Sequence, residues 1–499
     1  TTVGAISLAS VTTGDYNAVL GYAAANNTIG SRNVMVGSEA GQYAATTDDC
    51  VAVGYRALYG AATFTLGGAY NDDPTITHTA SGAVVAGMGV SGNGIPANAT
   101  VASVTDSTHF ELSTSTTGGN LTSQTITLST NNGNANIAIG SYALDACTTA
   151  AECVAIGHEA LSAVTDTGNN TAIGYVAGKA VDGASNTIIG LRAAEHATSI
   201  THCVAVGRNA LQGDGSTAPT GNFNIAVGNY SLDAITTGYS NIAIGYTALS
   251  AATNNIHNVA IGHEALDAAS ADEHYNVAIG SYALSSDTAS SGNVAIGYQA
   301  LEDQNTASSN NVAVGYQSAL NLDGGTDSVY VGYQAGGVGA ITGDNNVVTG
   351  KSAALNATGM NHSVVIGANA NNTGVNNAAN NVIVGTYAGQ AISTGTANVL
   401  IGRDAGLALT AGIENIAIGH GALDAANTAG GGSDGGSENY NIAIGTHAMG
   451  TETTGAEYCV AVGHKALFSQ NADVKNTAIG GLAGDAIEGG TNNTAVGYA

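Results

Sequence analysis

The chain has 499 residues, and its 9 Lys and Arg against 36 Asp and Glu give a formal net charge of −27. This charge repels nucleic-acid phosphates and anionic membranes, and no apolar run reaches the length of a membrane span, so the sequence argues against nucleic-acid binding and membrane insertion. Only 5% of the residues are aromatic and none is Trp, which predicts a thin core rather than a thick globular one.

One short unit, Asn293-Val-Ala-Ile-Gly-Tyr-Gln-Ala-Leu301, recurs through most of the chain. Its glycine, called the repeat glycine below, occurs in 24 copies that are mostly 17 or 18 residues apart. A fixed period of this kind is the signature of a solenoid, in which each repeat packs only on its neighbours. We therefore predict an all-β solenoid with coils of 17 to 18 residues.

The columns of the repeat indicate how each coil is built. The residues three and one before the repeat glycine are nearly always Val, Ile or Thr, as at Val294 and Ile296, which predicts a strand. Because a narrow coil needs branched side chains to fill it, we expect these two columns to face inwards and the Ala between them outwards. Asn four before the glycine predicts a ladder of side-chain amides. The segment "ALxA" after the glycine is interpreted as a second strand, with a short helix as the alternative.

In chain order, residues 1–61 are predicted to form the first coils of the solenoid. From 62 to 133 the period disappears and alternating strand patterns replace it, together with two of the three prolines, Pro74 and Pro96. This segment is interpreted as a small all-β domain inserted between coils. Residues 134–499 return to the repeat and are predicted to form a solenoid shaft.

The repeat carries a resemblance to known families. The unit "NVAIGYQALEDQNTASSN" resembles repeats of bacteriophage tail fibres, and its N-x-A-I-G core is similar to the head domain of trimeric autotransporter adhesins. The resemblance implies a left-handed parallel β-roll in a homotrimeric fibre. The segment from Gly87 to Ser113 resembles small β domains of phage structural proteins. The resemblance thus favours a virion tail or another extracellular location, with the bacterial cell surface as the alternative.

The outward Ala column leads to an expected trimer interface. A straight stripe of outward apolar residues would be a large exposed patch on a monomer, and soluble proteins avoid such patches. The resemblance implies that two identical chains cover it. The interface candidates are Ala295, Ala313, Tyr330, Val348, Val365, Ile383 and Leu400.

Two columns of side chains are candidates for binding or chemistry. Tyr298, Tyr316 and Tyr333 follow the repeat glycine in three consecutive coils and are predicted to stack, as a structural ladder or as a platform facing a glycan. His158, His263, His420 and His464 occupy the same column but never in consecutive coils, and no metal-binding spacing occurs. We predict no metal site and no cofactor.

Other motifs are interpreted as accidental or are left open. The GxGxxG match at Gly87–Gly92 and the GxSxG match at Gly431–Gly435 lack the strand and helix that those sites need. Ion binding by the loop 430–441 and pairing of Cys147 with Cys153 are left open. Acidic residues are scattered singly, whereas glycan-degrading enzymes gather carboxylates in a groove. We therefore predict that the chain is not an enzyme.

The sequence thus predicts a structural fibre or shaft protein of a phage tail, serving host attachment or spacing. Its expected partners are two further copies of itself, other tail or envelope proteins at its ends, and a host surface glycan or receptor. The alternative is a bacterial surface trimeric adhesin or an extracellular filament subunit. A polysaccharide-degrading spike enzyme is a third and less favoured hypothesis.

Overall fold

The computed structural model of the protein describes residues 2–3, 15–25, 30–42, 47–59, 64–79, 84, 89–96, 99, 101–117, 119–129, 134–213, 215–268, 273–287, 290–303, 308–337, 340–373, 378–424, 439–451, 456–469, 475–487 and 490–498. In these ranges the regular structure is all β, with no helix. The chain divides into two compact units, Thr1–Ile244 and Gly245–Ala499.

The first unit contains a parallel sheet and an antiparallel sheet. Its strands are β1 (Thr2–Val3), β2 (Ala18–Leu20), β3 (Val34–Val36), β4 (Val51–Val53), β5 (Phe64–Asn71), β6 (Thr75–His78), β7 (Gly89–Ser91), β8 (Val101–Asp106), β9 (His109–Leu112), β10 (Asn120–Ser129), β11 (Ile137–Ile139), β12 (Val154–Ile156), β13 (Thr171–Ile173), β14 (Thr187–Ile189), β15 (Val204–Val206), β16 (Ile225–Val227) and β17 (Ile242–Ile244). Strands β1 to β4 and β11 to β17 pair in parallel, in chain order.

The second unit contains parallel strands alone among its described residues. They are β18 (Val259–Ile261), β19 (Val277–Ile279), β20 (Val294–Ile296), β21 (Val312–Val314), β22 (Val329–Val331), β23 (Val347–Thr349), β24 (Val364–Ile366), β25 (Val382–Val384), β26 (Val399–Ile401), β27 (Ile416–Ile418), β28 (Ile442–Ile444), β29 (Val460–Val462), β30 (Thr477–Ile479) and β31 (Thr494–Val496). Neighbouring strands pair residue for residue, so that Ala278 lies beside Ala295. The predicted β-solenoid is confirmed, and its strands are parallel, with about 24 turns and a repeat of about 17 residues.

The inward and outward faces of the strands are the reverse of the prediction. In β20 the middle residue, Ala295, is fully buried, whereas Ile296 is 37% exposed and Val294 is partly exposed. The same pattern holds from β2 to β4 and from β11 to β30, where only the middle of three residues is buried, whereas the last strand, β31, has no buried residue. The opposite wall of the coil is already filled by Ala300 and Leu301, which are both fully buried. Little space remains in the coil interior beside the strand, and the small side chain of Ala295 fits that space.

The segment "ALxA" forms a series of turns, so the predicted second strand and its helical alternative are both wrong. Gln299 and Leu301 have φ of 54° and 51°, and alternation with such left-handed residues rules out an extended strand. The turns still bind the coils together. The N–H of Gln299 donates to the carbonyl of Ser281 at 3.1 Å, and the N–H of Leu301 donates to that of Ser318 at 3.0 Å.

In most coils the middle strand residue and the residue opposite it exchange volume, and the exceptions are Ala172 with Gly178, Ala313 with Ala319 and Ala478 with Gly484. Where the middle strand residue is Ala, the fourth residue after the repeat glycine is usually Leu, as in the pair Ala295 and Leu301. Where the strand residue is larger, the opposite residue is smaller: a Cβ added at Gly336 would lie 2.6 Å from Cδ1 of Tyr330. The larger strand residues and their opposite partners are, in order, Val19 and Ala25, Met35 and Gly41, Ile188 and Ala194, Tyr330 and Gly336, Val348 and Ala354, Val365 and Asn371, Ile383 and Gly389, and Leu400 and Gly406.

The predicted Asn ladder is confirmed and links consecutive coils from the inside. The Asn293 side chain donates through Nδ2 to the carbonyl of Ser308 at 2.7 Å, and its Oδ1 accepts the backbone N–H of Asn311 at 2.8 Å. Asn293 is fully buried, so these bonds satisfy backbone groups that water does not reach. Cys153 takes the same place in its coil, where its backbone N–H donates to Oδ1 of Asn136 at 2.9 Å.

The repeat glycine is required by close approach of the coils. Gly297 has φ of 137°, and a Cβ added to it would lie 2.3 Å from the carbonyl oxygen of Gly315 in the next coil. No side chain fits that distance, and L residues rarely adopt that φ. The strand therefore ends at the same place in every coil, which fixes the position of the side chains that follow.

The antiparallel sheet of the first unit lies between β4 and β11 in sequence. Its six strands follow the order β7, β10, β5, β6, β9 and β8. They surround an apolar cluster that includes Ile76, Phe110 and Ile126. Strands β4 and β11 pair directly, with Val51 beside Ile137, so the parallel register continues across the intervening segment. The assignment of 62–133 as an inserted domain stays a prediction.

Candidate functional site: the outward stripe and the aromatic ladder

The predicted trimer interface is wrong in its residues. Every member of that set is fully buried within a single chain, so none can contact another chain: Ala295, Ala313, Tyr330, Val348, Val365, Ile383 and Leu400. The larger members fill the chain's own core, where a small residue across the coil makes room for them. Their size says nothing about the separation between chains.

The surface that the strands do present is an outward stripe, defined as the first and third residues of the parallel strands. In the second unit, Ile296, Val347, Ile366, Val382 and Ile401 are 37 to 39% exposed. In the first unit, the stripe includes Ile137, Ile139 and Ile173, which are 36 to 38% exposed. Most stripe residues are Val or Ile on a parallel sheet, so each unit carries a largely apolar surface. It is interrupted by Thr171 and Thr187 in the first unit and by Thr349, Thr477 and Thr494 in the second.

The three tyrosines stack as predicted. The ring centroids of Tyr298 and Tyr316 are 5.4 Å apart, those of Tyr316 and Tyr333 are 5.2 Å apart, and the planes differ by 16° and 7°. Contacts from Tyr298 to Tyr282, then to His263 and Tyr246, extend the ladder to six rings. The sequence prediction missed Tyr282, since it lies two residues after its glycine rather than one. We call these six rings the aromatic ladder.

A row of glutamines beside the tyrosines was also missed. Gln317 donates through Nε2 to Oε1 of Gln299 at 2.7 Å, and Gln334 donates in the same way to Gln317 at 2.9 Å. The signal was present in the sequence, because "GYQ" occurs in three consecutive coils. We call Gln299, Gln317 and Gln334 the glutamine ladder.

The histidines of the same column pack on aromatic rings. His158 stacks on Tyr175 at 5.3 Å and His263 on Tyr246 at 5.4 Å, while His464 lies in the column without a ring contact among the described residues. His420 contacts His447 of the next coil at 5.0 Å. Within the part of the chain that the structure describes, no group of three or more His, Cys, Asp and Glu is placed to hold a metal ion.

Two further His contacts involve carboxylates of the second unit. Nε2 of His420 lies 3.5 Å from Oδ2 of Asp404, and Nδ1 of His447 lies 3.8 Å from Oδ2 of Asp424. Burial raises the pKa of Asp424 above its usual range. These contacts are long and partly exposed, so even when the His is protonated they contribute little to stability.

Several carboxylates are half-buried on the turns after the strand. Burial raises the pKa of Asp233 and of Asp267 to about 6. Asp233 belongs to the first unit and Asp267 to the second. An open surface cleft of about 350 Å³ lies beside Lys179 and Glu195, and Nζ of Lys179 is paired with Glu159 at 2.7 Å.

All five cysteines are free and buried. The pairing left open between Cys147 and Cys153 is therefore not formed. Burial raises the pKa of the Cys50 and Cys203 thiols to about 11, so these side chains are neutral near pH 7 and act as small apolar residues of the core.

Some of the motifs considered in the sequence fall outside the described residues. These are the first part of the GxGxxG match, the whole GxSxG match, and most of the loop 430–441. Ion binding by that loop stays open.

The fold and surface define the chain as a parallel β-solenoid repeat protein. A scan against protein-family models finds no matching family, and a search of curated proteins finds no match. In the described residues, no helix is both long and apolar enough to cross a membrane.

Proposed function

We propose that the chain is the shaft-forming part of a homotrimeric fibre, of the kind that projects from a phage tail and serves host attachment or spacing. In this proposal the coils wind left-handed and residues 62–133 form a small inserted domain. The observation that carries the proposal is the outward stripe, because a long and largely apolar surface in contact with water needs a partner surface. The stripe replaces the buried Ala column as the contact between copies.

Burial of the stripe can supply the free energy of assembly only when many coils take part. Full burial of a Val or Ile side chain contributes about 1.5 to 3 kcal/mol, so covering the exposed third of such a residue contributes about 0.5 to 1 kcal/mol. Ten coils with two such residues each give a gross stabilisation of about 10 to 20 kcal/mol. Association itself costs on the order of 4 to 15 kcal/mol. A long solenoid can therefore assemble where a few isolated coils cannot.

The regularity of the coils also favours a structural role. The described turns are short, and burial is the first cause of the raised pKa of both Asp233 and Asp267, ahead of the neighbouring Glu264 at Asp267. A polysaccharide-degrading spike would need two carboxylates facing each other in a groove, so an enzyme is the less favoured function. A bacterial surface adhesin or filament subunit shares the proposed assembly and differs in location.

Gold-labelled antibody against the chain, applied to virus particles made from the genome that encodes it, tests the tail location.

Cysteine cross-linking tests the proposed contact surface. The native cysteines are buried, so a cysteine introduced at Ile296 is the accessible one under native conditions. Mild oxidation of Ile296→Cys should give covalent dimers of two 48.8 kDa chains on a non-reducing gel. Asp303→Cys, on the turn after the strand, is the matched control and should stay uncrosslinked. Equal yields from the two variants, or none from Ile296→Cys, would contradict the proposed contact.

A further inference from the structure

The aromatic and glutamine ladders run side by side over three coils, and together they form one strip of Tyr298, Tyr316, Tyr333, Gln299, Gln317 and Gln334. The three rings are 42 to 47% exposed. Since they stack on one another, their faces are partly covered, and what they present to solvent is ring edges and hydroxyl groups. Among the described residues, none of the three hydroxyls has a hydrogen-bond partner.

The glutamine ladder keeps hydrogen-bonding capacity for a ligand. A primary amide has two N–H donors and an oxygen that accepts twice. Gln317 uses one donor towards Gln299 and one acceptor position towards Gln334. One donor and one acceptor position therefore stay open at the middle rung. Each coil thus offers a Tyr hydroxyl and a Gln amide. These groups can both donate hydrogen bonds to the hydroxyls of a sugar and accept hydrogen bonds from them.

The strip is held rigid by the backbone beneath it. The N–H of Gln317 donates to the carbonyl of Tyr298 at 2.8 Å, and the N–H of Gln334 donates to that of Tyr316 at 2.9 Å. Gln317 and Gln334 also have φ of 50° and 51°, so their side chains leave the backbone in the same direction. A preorganised surface loses less conformational entropy on binding than a mobile one.

The charges around the strip favour an uncharged ligand. Burial raises the pKa of the Glu302 carboxyl above its usual range, while the Gln299 amide beside it acts in the opposite direction. Asp303 adjoins it, and Glu264 raises the pKa of Tyr282 in the same ladder. The carboxylates at this end would repel a uronic or sialic acid. Lys351 follows the glycine of the next coil after Tyr333, and lies beyond the three tyrosines.

We propose that this strip binds an extended, neutral, β-1,4-linked glycan that lies along the stack of coils with one sugar residue at each coil. The ring spacing of 5.2 to 5.4 Å is close to the length that one pyranose adds to an extended β-1,4 chain. Each sugar would lie beside one Tyr hydroxyl and one Gln amide, and because successive sugars of a β-1,4 chain are turned by about half a turn, alternate sugars would offer the same edge to the strip. A strongly curved α-1,4 chain loses that register after one or two residues. The inference gives the proposed attachment role a ligand class and a place on the chain.

Titration of the whole chain with defined tetrasaccharides tests the inference. The probes are cellotetraose and chitotetraose as extended neutral chains, with maltotetraose and tetragalacturonate as the curved and acidic comparisons, followed by calorimetry or saturation-transfer NMR. We expect one or both extended chains to bind at least tenfold more tightly than either comparison. Tyr316→Ala should weaken binding about tenfold and Gln317→Ala about fivefold. Tyr458→Ala, which removes a ring from the stacked Tyr440 and Tyr458 pair in another column, should change it less than twofold.

A second substitution separates loss of binding from loss of fold. Tyr316→His keeps a stacked ring, as His263 does against Tyr246 in this ladder, but moves the polar group, and it should also weaken binding. Failure of both extended chains to bind at millimolar concentration would overturn the inference, as would unchanged binding by Tyr316→Ala or equal binding of maltotetraose. Light scattering on the same samples reports assembly independently, so a trimer that binds no glycan refutes the inference alone, and a monomer refutes the proposed function.

Discussion

The exchange of volume between the middle strand residue and the residue opposite it predicts the outcome of a double-mutant cycle at Ala278 and Leu284. Both side chains are fully buried, and the coils on either side carry the same Ala and Leu pair. Ala278→Leu adds three carbons to a filled core and should destabilise the coil by about 1 to 3 kcal/mol. Leu284→Gly leaves a cavity and should destabilise it by about 2 to 5 kcal/mol. The double variant reproduces the natural pair Leu400 and Gly406 and should recover most of that loss.

The size of the recovery follows from the close contacts seen in the natural pair. A Cβ at Gly406 would lie 2.8 Å from Cδ1 of Leu400, so the large strand residue occupies the volume that Leu fills elsewhere. We expect a coupling free energy of about 2 to 3 kcal/mol, at the upper end for residues in contact. Hydrogen exchange of peptides that cover the coil of Gly280 measures it, since about 1.4 kcal/mol changes the opening equilibrium tenfold. Additive effects of the two substitutions would refute the inward assignment of the middle strand residue, as would an Ala278→Leu variant that exchanges like the parent.

Four further outcomes are expected. Gly297→Ala should destabilise its coil by at least about 2 to 3 kcal/mol, because the added Cβ meets the next coil's carbonyl at 2.3 Å; normal exchange protection there would contradict the close approach. Asn293→Ala should cost about 2 to 3 kcal/mol, since two buried backbone groups lose their partners, and Asn293→Ser should be milder on thermal unfolding. Deletion of 62–133 should leave the parallel coils folded, because the strands on either side already pair; circular dichroism showing loss of β structure would disprove it. Burial raises the pKa of Asp267 from 3.8 to about 6, so its stabilising contribution is complete below pH 3.8 and is lost as the pH rises through about 6. Hydrogen exchange in its coil, corrected for the intrinsic rate, should therefore be slower at pH 4 than at pH 7. Asp267→Asn should remove that difference.

The fold class could be predicted from the sequence because the same strand pattern recurs at a nearly fixed spacing in 24 copies. The Asn ladder and the tyrosine stack followed for the same reason: identical residues in consecutive coils must lie one above another. The left-handed backbone conformations after the repeat glycine were harder to predict, because the segment "ALxA" contains no glycine that would indicate them. Leu301 adopts φ of 51° because the hydrogen bonds between coils and the burial of its side chain outweigh the strain of that conformation.

The facing of the strand was mispredicted although a signal for it exists. Hydrophobicity alone favours Val and Ile inside and does not tell which side of a doubly apolar strand meets the core. The compensating pairs, such as Tyr330 with Gly336 and Leu400 with Gly406, decide it, because residues that exchange volume must share one cavity. The exchange of volume is visible only when the column of the middle strand residue is compared with the column four residues after the repeat glycine. The glutamine ladder could have been predicted on the same ground as the tyrosine stack, since Gln follows Tyr in the same three coils.

The mass of the intact chain in solution tests most directly whether the outward stripe joins copies of the protein. Light scattering at micromolar concentration should give three times the chain mass of 48.8 kDa, and substitution of lysine at Ile279, Ile296 and Ile366 together should lower it towards that of one chain. These side chains point out of the coil, so the triple variant should keep its β structure. A stable monomer of the unaltered chain at that concentration would contradict the account.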